Sequence, residues 1–208
     1  MMPIGGQLYF LAASVALSLA PGPDNLFVLA LGVARGRRAA VAAAWGMCSG
    51  ITVHTAAAAV GVSAVFRSSR MAFDALKYGG ALYLLYMAWE AFRAGQASAG
   101  GGPSPTGTSA ALFRRGLTMN LLNPKVALFF LAFLPQFASP AYGSVPLQLV
   151  LLGALFMVQA TVVFTLLALF AGTAGQYLGR RPGATRWLHR AAAGVFAGLA
   201  LRLALAAR

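Results

Sequence analysis

Acidic residues are almost absent from this chain of 208 residues, which has three Asp and Glu together against sixteen Lys and Arg. Charged residues make up only 9% of the sequence, whereas a soluble domain contains about a quarter. The chain is instead 60% hydrophobic, with a mean hydropathy of +0.76. Several apolar runs reach the ~20 residues that a helix needs to cross a bilayer. The composition therefore excludes a soluble globular domain and predicts a polytopic membrane protein.

Cysteine and histidine are also scarce. The single cysteine, Cys48, lies in an apolar segment and is interpreted as a small packing residue, since it has no partner for an internal disulfide. Neither His54 nor His189 has a cysteine or carboxylate at metal-ligand spacing, so no metal site is predicted. The sequence contains no nucleotide-binding motif. No cofactor is therefore expected, and ATP bound to this chain is excluded as an energy source.

Six apolar segments separated by short basic loops predict six membrane spans. A run rich in Gly, Ser, Pro and Thr divides them into two groups of three, and such a composition is typical of a flexible linker. No Lys or Arg precedes the first segment, so we expect it to be a retained helix and not a signal peptide. The predicted spans are 7–34, 39–66, 71–92, 116–137, 145–173 and 187–206, and the predicted units are 1–94, the linker 95–110, and 111–208.

The basic residues are distributed unequally between alternate loops. Loops one, three and five carry ten arginines, and the remaining loops and termini carry four. This is the positive-inside pattern of a membrane protein, so nucleic-acid binding is not the explanation of the +13 net charge. This distribution of arginines predicts a cytoplasmic linker, with both termini outside the cell membrane. The ten are Arg35, Arg37, Arg38, Arg93, Arg114, Arg115, Arg180, Arg181, Arg186 and Arg190, and the four are Arg67, Arg70, Arg202 and Arg208.

Prolines interrupt the first and fourth spans. The first break is Pro21-Gly22-Pro23, and the second is at Pro124. A proline removes one helical N–H and displaces the carbonyl four residues before it. In lipid the freed groups are tolerated only where they are buried in protein or line a cavity. Broken helices in corresponding halves of a chain indicate a transporter's binding site.

The two halves resemble each other when Pro23 is aligned with Pro124. Loop one is strongly basic, whereas the equivalent loop four has no charge. A loss of positive charge in the matching loop is what an inverted repeat requires. The predicted fold is therefore an all-α polytopic membrane protein, with two inverted three-helix repeats and broken helices one and four.

Five motifs along the chain resemble one known family. They are PGPDNL at 21–26, ARGRR at 34–38, KYGGALYLLY at 77–86, LNPKVALFF at 122–130 and FLPQF at 133–137. Together they resemble the LysE/RhtB amino-acid exporters over essentially the whole length. The resemblance implies efflux of amino acids or related small metabolites, driven by the proton-motive force, across a bacterial inner membrane. It also implies a homodimer surrounded by membrane lipid.

Asp24 and Lys125 are the charges at the two breaks, and each directly follows a proline. Such a residue lies in the first turn of a half-helix, where free N–H groups and the helix dipole favour an anion. In a functional interpretation, Lys125 and the half-helix ends hold a substrate carboxylate while Asp24 binds the α-ammonium. In a structural interpretation, Asp24 caps its own helix and forms a salt bridge with Lys125. The two interpretations are compatible.

Three asparagines lie near the breaks. Asn25 and Asn123 are candidate substrate-binding residues, although each could instead satisfy carbonyls that the kinks release. For Asn120, whose carbonyl lies four residues before Pro124, we favour this structural role. Asn123 precedes a proline and is expected to be extended.

His54 lies near the middle of the second span. Histidine titrates near neutral pH, so His54, together with Asp24, is a candidate for proton coupling. A neutral histidine in an interhelical hydrogen bond is equally consistent with the sequence. A different role is expected for Glu90 and Arg93, whose i,i+3 spacing predicts an interfacial pair that reaches towards water.

Two other classes of protein are weighed against an exporter. A cation or metal permease needs several acidic, thiol or imidazole groups at membrane depth, and the chain offers Asp24, Cys48 and His54. A membrane-embedded enzyme needs a nucleophile with its base or a metal cluster, and these residues form no such set. The sequence therefore predicts a secondary transporter and not an enzyme.

Overall fold

A computed structural model describes residues 4–62, 70–94, 107–173 and 182–205. Within these ranges the chain is helical and contains no β-strand, which confirms the predicted all-α class. Wider π-helical turns follow two of the helices, at Ala58–Val62 and Phe129–Phe133. The helices are α1 (Ile4–Leu19), α2 (Pro23–Arg35), α3 (Arg37–Ala57), α4 (Arg70–Ala94), α5 (Ser109–Leu121), α6 (Pro124–Leu128), α7 (Val145–Leu169) and α8 (Pro182–Leu205).

Both proline motifs break a helix where the sequence predicts it. The axes of α1 and α2 meet at 54°, and those of α5 and the segment Pro124–Phe137 meet at 49°. Pro23 and Pro124 each occupy the first turn of the new helix, where a missing N–H costs nothing. The residues before them, Gly22 and Asn123, are extended, as expected ahead of a proline.

Two helices of the described ranges are long and apolar enough to cross a membrane by themselves, Val145–Leu169 and Arg186–Leu205. The two bent pairs raise this number to four if each pair forms one span. Helices α3 and α4 occupy the predicted second and third spans without reaching the same apolarity. The reason lies in their composition, since α3 is rich in Ala, Gly, Ser and Thr and α4 carries five charged residues.

Two helix starts differ from the predicted span limits. Helix α5 begins at Ser109, inside the predicted linker, because the Thr108 hydroxyl caps it by accepting a hydrogen bond from the Ala111 N–H at 3.3 Å. Helix α8 begins at Pro182, ahead of the predicted residue 187. Most of the predicted linker, residues 95–106, lies outside the described ranges.

Helices α3 and α5 pack unusually closely. A Cβ atom at Gly46 would overlap the Phe113 carbonyl, and one at Gly116 would overlap the Ala43 carbonyl. Small residues allow this approach, as is typical of helix contacts in membranes. Helix α3 also packs against α7, and α4 packs along α8. The close α3–α5 contact sets the position of the second break, which directly follows α5.

Candidate functional site

Asp24 and Lys125 form a buried ion pair where the two helix breaks meet. Oδ2 of Asp24 lies 3.2 Å from Nζ of Lys125, and the two side chains are 7% and 2% exposed, respectively. Each residue stands in the first turn of its half-helix, α2 or α6, as the sequence predicts. Two segments about a hundred residues apart in sequence therefore bring their single charges together.

The start of α2 strengthens the positive potential near this pair. Helix α2 has Gly22 at its N-cap and receives no side-chain cap, so no side chain accepts from its first N–H groups, although Asp24 in the first turn partly offsets the helix dipole. A Cβ atom on Gly22 would lie 3.1 Å from Oδ1 of Asp24 and 3.2 Å from Nζ of Lys125. The Lys125 ammonium and the uncapped end of α2 thus act on the same small region, which favours a carboxylate there.

The side chains of Asn25 and Asn123 form hydrogen bonds with the backbone at the two helix breaks. The Asn25 amide donates a hydrogen bond to the Ser18 carbonyl at 2.9 Å, close to the end of α1. Oδ1 of Asn123 accepts one from the Lys125 N–H at 3.0 Å and so caps α6. The Asn25 bond to a carbonyl is of the kind that the structural interpretation expects, whereas Asn123 satisfies an N–H and not a carbonyl. Neither asparagine lines the cavity beside the ion pair.

His54 is bound to the second break. Its Nε2 lies 3.1 Å from the carbonyl oxygen of Asn120, which is the carbonyl that Pro124 deprives of its helical partner. His54 and the Asn123 N–H, at 3.0 Å, therefore both bond to this carbonyl, and the Asn120 side chain does not. Because a carbonyl oxygen only accepts, Nε2 of His54 carries the hydrogen in this contact. His54 does not itself line the cavity, whereas Asn120 does.

A small cavity lies beside the ion pair. Its volume of about 20 Å³ accommodates roughly one water molecule and no amino acid. Polar groups of Ser18, Asp24, Asn120 and Lys125 are at its wall, and the other lining side chains are mostly apolar. These are Leu17, Met47, Cys48, Ile51, Val126, Phe156, Ala160 and Phe164. Apart from Asp24, the lining contains no acidic residue.

Several polar atoms around this cavity have unused hydrogen-bonding capacity. Oδ1 of Asp24 and Oδ1 of Asn120 are buried acceptors that bond to no described group of the protein. Nζ of Lys125 is close to Asp24, but the contact lacks the directionality of a hydrogen bond. Buried polar groups are normally satisfied, and each exception needs an explanation. Two acceptors and one cationic donor with unused hydrogen-bonding capacity thus lie around the same cavity.

Ser18 and Gln159 belong to the same polar network, although the sequence analysis did not single them out. The Gln159 amide donates a hydrogen bond to the Ser18 hydroxyl at 3.0 Å and so connects α7 to the end of α1. Both residues are buried. The available signal for Gln159 was an amide in the middle of a strongly apolar 25-residue helix, where polar groups usually bond across helices.

Aromatic side chains fill the bundle on one side of the ion pair. Phe129, one turn beyond Lys125, packs with Phe133 and Phe10, and this cluster continues to Phe137. At its far end the Arg202 guanidinium lies 3.6 Å from the ring centre of Tyr9. The first three phenylalanines are fully buried.

Among the described residues, no three His, Cys, Asp or Glu side chains are grouped as metal ligands. The two acidic residues other than Asp24 are both on α4, away from the small cavity.

Comparison with known proteins gives a consistent result. A family model described as LysE type translocator matches residues 15–207. A homoserine/homoserine lactone efflux protein of Salmonella typhimurium is 33% identical over 156 residues, or 75% of each chain. A membrane protein of Vibrio cholerae is 31% identical over 205 residues, or 99% of each chain. A leucine efflux protein of Klebsiella pneumoniae is 34% identical over 136 residues, or 62% of each chain. No solved structure gives a significant match.

Proposed function

This chain belongs to the LysE type translocator family, and from that premise we propose that it exports amino acids with uncharged side chains, binding them between Asp24 and Lys125. Relatives of the chain are named as efflux proteins and not as enzymes. The proposal concerns the substrate, the residues that bind it and the energy that drives export.

The unused polar atoms beside the ion pair are the observation that carries the proposal. An α-amino acid presents an ammonium group with three donors and a carboxylate with two acceptor oxygens. Oδ1 of Asp24 and Oδ1 of Asn120 are acceptors that suit the ammonium. Nζ of Lys125 and the uncapped start of α2 suit the carboxylate. The zwitterion thus matches both charges at once.

The apolar lining of the cavity supports a substrate with an uncharged side chain. A basic side chain would need a second carboxylate, and Asp24 is the only acidic residue that lines the cavity. Relatives are named for efflux of leucine and of homoserine or homoserine lactone, none of which has a charged side chain. Leucine is therefore the first substrate to test.

The substrate would replace the ion pair and not bind beside it. The present cavity of about 20 Å³ is too small for any amino acid, so Asp24 and Lys125 must separate to admit one. An inserted zwitterion gives each of them a new partner of opposite charge. The cost of separating the pair is thereby offset by two charge-assisted contacts.

The proposed energy source is proton antiport, with His54 and Asp24 as the groups that exchange protons. His54 is bonded to the Asn120 carbonyl, and the Asn120 side chain lines the cavity. A change of charge on His54 therefore acts on the Asn120 carbonyl at the second break, four residues before Pro124 begins α6. Asp24 acts in the same cycle through its direct contact with substrate.

The proposed architecture is six spans in the bacterial inner membrane, as two inverted repeats of residues 1–94 and 111–208 with a cytoplasmic linker and both termini outside. The similar bends of 54° and 49° at the two breaks support the repeat. So does the packing of α3 on α7 and of α4 on α8, since an inverted repeat would relate these helices to one another. A homodimer in the membrane completes the proposal.

Counterflow in proteoliposomes tests the proposed substrate and site. We expect the unmodified protein to exchange radioactive leucine, and to be inhibited by leucine far better than by isopentylamine or 4-methylpentanoate, which each lack one of the two charges. Asp24→Asn and Lys125→Met should abolish exchange. Asp74→Asn is the matched control, because it removes a carboxylate that pairs with Lys77 away from the cavity. Full exchange by Asp24→Asn would refute the site, and no exchange of any amino acid by the unmodified protein would refute the function.

A further inference from the structure

A second, larger cavity lies on the other side of Gly22. It has a volume of about 360 Å³ and is enclosed by the first break, by α4 and by α8. This volume is within the range of small-molecule sites, which is roughly 300–1,000 Å³. The lining residues are Pro21, Gly22, Pro23, Leu26, Tyr83, Tyr86, Met87, Glu90, Ala91, His189 and Phe196.

The lining combines apolar surface with titratable groups. Glu90 and His189 lie towards the same end of this cavity, where α4 finishes and α8 starts. Ionisable residues of membrane spans face the bundle interior or a water-filled cavity, because lipid does not solvate them. A groove filled by lipid would not contain both groups. We therefore expect water to reach Glu90 and His189, in a lining that is otherwise mostly apolar.

Glu90 does not form the pair with Arg93 that its spacing predicts. The Arg93 guanidinium lies over the Trp89 ring instead, 5.9 Å from its centre. In the described part of the chain the ion pairs join Asp24 to Lys125 and Asp74 to Lys77. The Glu90 carboxylate is thus left to act on what enters the cavity. This corrects the sequence-based expectation of an interfacial Glu90–Arg93 pair.

Gly22 separates the larger cavity from the ion pair. It lines the cavity, and a Cβ atom placed on it would be in close contact with both Asp24 and Lys125. Because Gly22 has no side chain, no side-chain atom of this residue stands between the cavity and the pair. One turn beyond Lys125, Phe129 packs into a buried aromatic cluster. The larger cavity and the substrate site are thus adjacent at Gly22.

We propose that this cavity is an access vestibule in which Glu90 binds the ammonium group of the amino acid before the substrate passes Gly22 to the Asp24–Lys125 site. The inference rests on the proposed function and adds a second binding site on the route to the first. Tyr83 and Tyr86 offer aromatic faces that attract a cation. Met87 and Phe196 offer apolar surface for the side chain of the substrate.

Protection of an introduced cysteine from a maleimide tests the vestibule. Met87→Cys places a thiol in the cavity wall, and the unmodified protein is the blank because its Cys48 is buried. Purified protein in detergent makes the readout independent of membrane orientation. We expect isopentylamine, which keeps the ammonium but has no carboxylate, to slow labelling. We expect 4-methylpentanoate, which has only the carboxylate, to have no effect.

Glu90→Gln in the Met87→Cys protein should raise the half-protective concentration of isopentylamine about tenfold, as expected for loss of a charge-assisted contact. Asp74→Asn removes a carboxylate from the same helix outside the cavity and should leave protection unchanged. Equal protection with and without Glu90 would overturn the proposal. If Tyr86→Cys and Met87→Cys both fail to react, the cavity is closed to solvent and the proposal is again wrong.

Asp24→Asn separates this inference from the proposed function. In the Met87→Cys protein it should abolish leucine counterflow and preserve protection by isopentylamine. Loss of protection in Asp24→Asn would mean that the probe acts from the ion-pair site, which would overturn the vestibule alone. A protein that transports no amino acid and still shows protection dependent on Glu90 would refute the proposed function and keep the ammonium site.

Discussion

The buried ion pair predicts strongly non-additive effects on stability. Asp24→Asn would leave the Lys125 ammonium, which is 2% exposed, without its counter-charge. Lys125→Met would leave the Asp24 carboxylate in the same position. Removing one partner of a buried pair costs about 3–5 kcal/mol, whereas replacing both by neutral side chains is close to neutral. Additivity would therefore predict a loss of roughly 6–10 kcal/mol for the double variant, and we expect about 1 kcal/mol or less.

Thermal unfolding in detergent at one fixed pH, followed by tryptophan fluorescence, measures all four proteins of the cycle. The informative quantity is the difference between the double variant and the sum of the two single variants. A double variant destabilised by that sum would show that the charges do not stabilise each other.

Three further predictions concern packing, coupling and topology. Gly46→Ala should lower the unfolding temperature, because its methyl group would overlap the Phe113 backbone. Gly194→Ala is the control and should leave the unfolding temperature unchanged, because its methyl group meets no atom within 4 Å. Equal effects of the two substitutions would contradict the close α3–α5 contact. His54→Gln should keep leucine exchange at equal concentrations and lose accumulation driven by a pH gradient, and wild-type accumulation would reduce His54 to a packing role. In intact cells, Ala34→Cys should resist an impermeant thiol reagent and Ala141→Cys should react, while the reverse pattern would overturn the topology.

The helix breaks were predictable because proline acts locally. A proline ring removes its own N–H and restricts the residue before it whatever the tertiary structure, so Pro23 and Pro124 fix both breaks from the sequence alone. The pairing of Asp24 with Lys125 was predictable because few charged residues lie at membrane depth. With one charge at each break and few others at membrane depth, the two charges were each other's most plausible partner.

The roles of the neighbouring polar residues depend on helix rotation, which the sequence does not determine. Asn25 directly follows Asp24, yet its side chain turns to the Ser18 carbonyl while Asp24 faces the cavity. Asn123 precedes Lys125 by two residues and serves as a helix cap. Adjacent residues on a helix point about 100° apart. Both asparagines therefore differ in role from the charged residues beside them, despite their proximity in sequence.

The contacts of α4 show a second limit of sequence reasoning. The spacing of Glu90 and Arg93 permits an ion pair, but a guanidinium is also attracted to an aromatic face, and Trp89 competes for it. Spacing alone does not decide between an exposed ion pair and a stacked arginine, because each is worth about 1 kcal/mol or less. The free Glu90 carboxylate, on which the vestibule depends, was therefore visible only in the structure.

If substrate binds as proposed, the Asp24–Lys125 ion pair gives the site a preference for zwitterions. A ligand that separates Asp24 from Lys125 must replace the partner of both, or leave one buried charge unpaired. An amine pairs with Asp24 alone and an acid with Lys125 alone, and each leaves the other charge at a cost of about 3–5 kcal/mol. That penalty corresponds to a preference of roughly 10²–10³-fold or more for a ligand that carries both charges. The proposed vestibule has a single carboxylate, so we expect it to accept any ammonium compound of suitable size. We therefore expect zwitterions to be distinguished from simple amines at the Asp24–Lys125 pair and not in the vestibule.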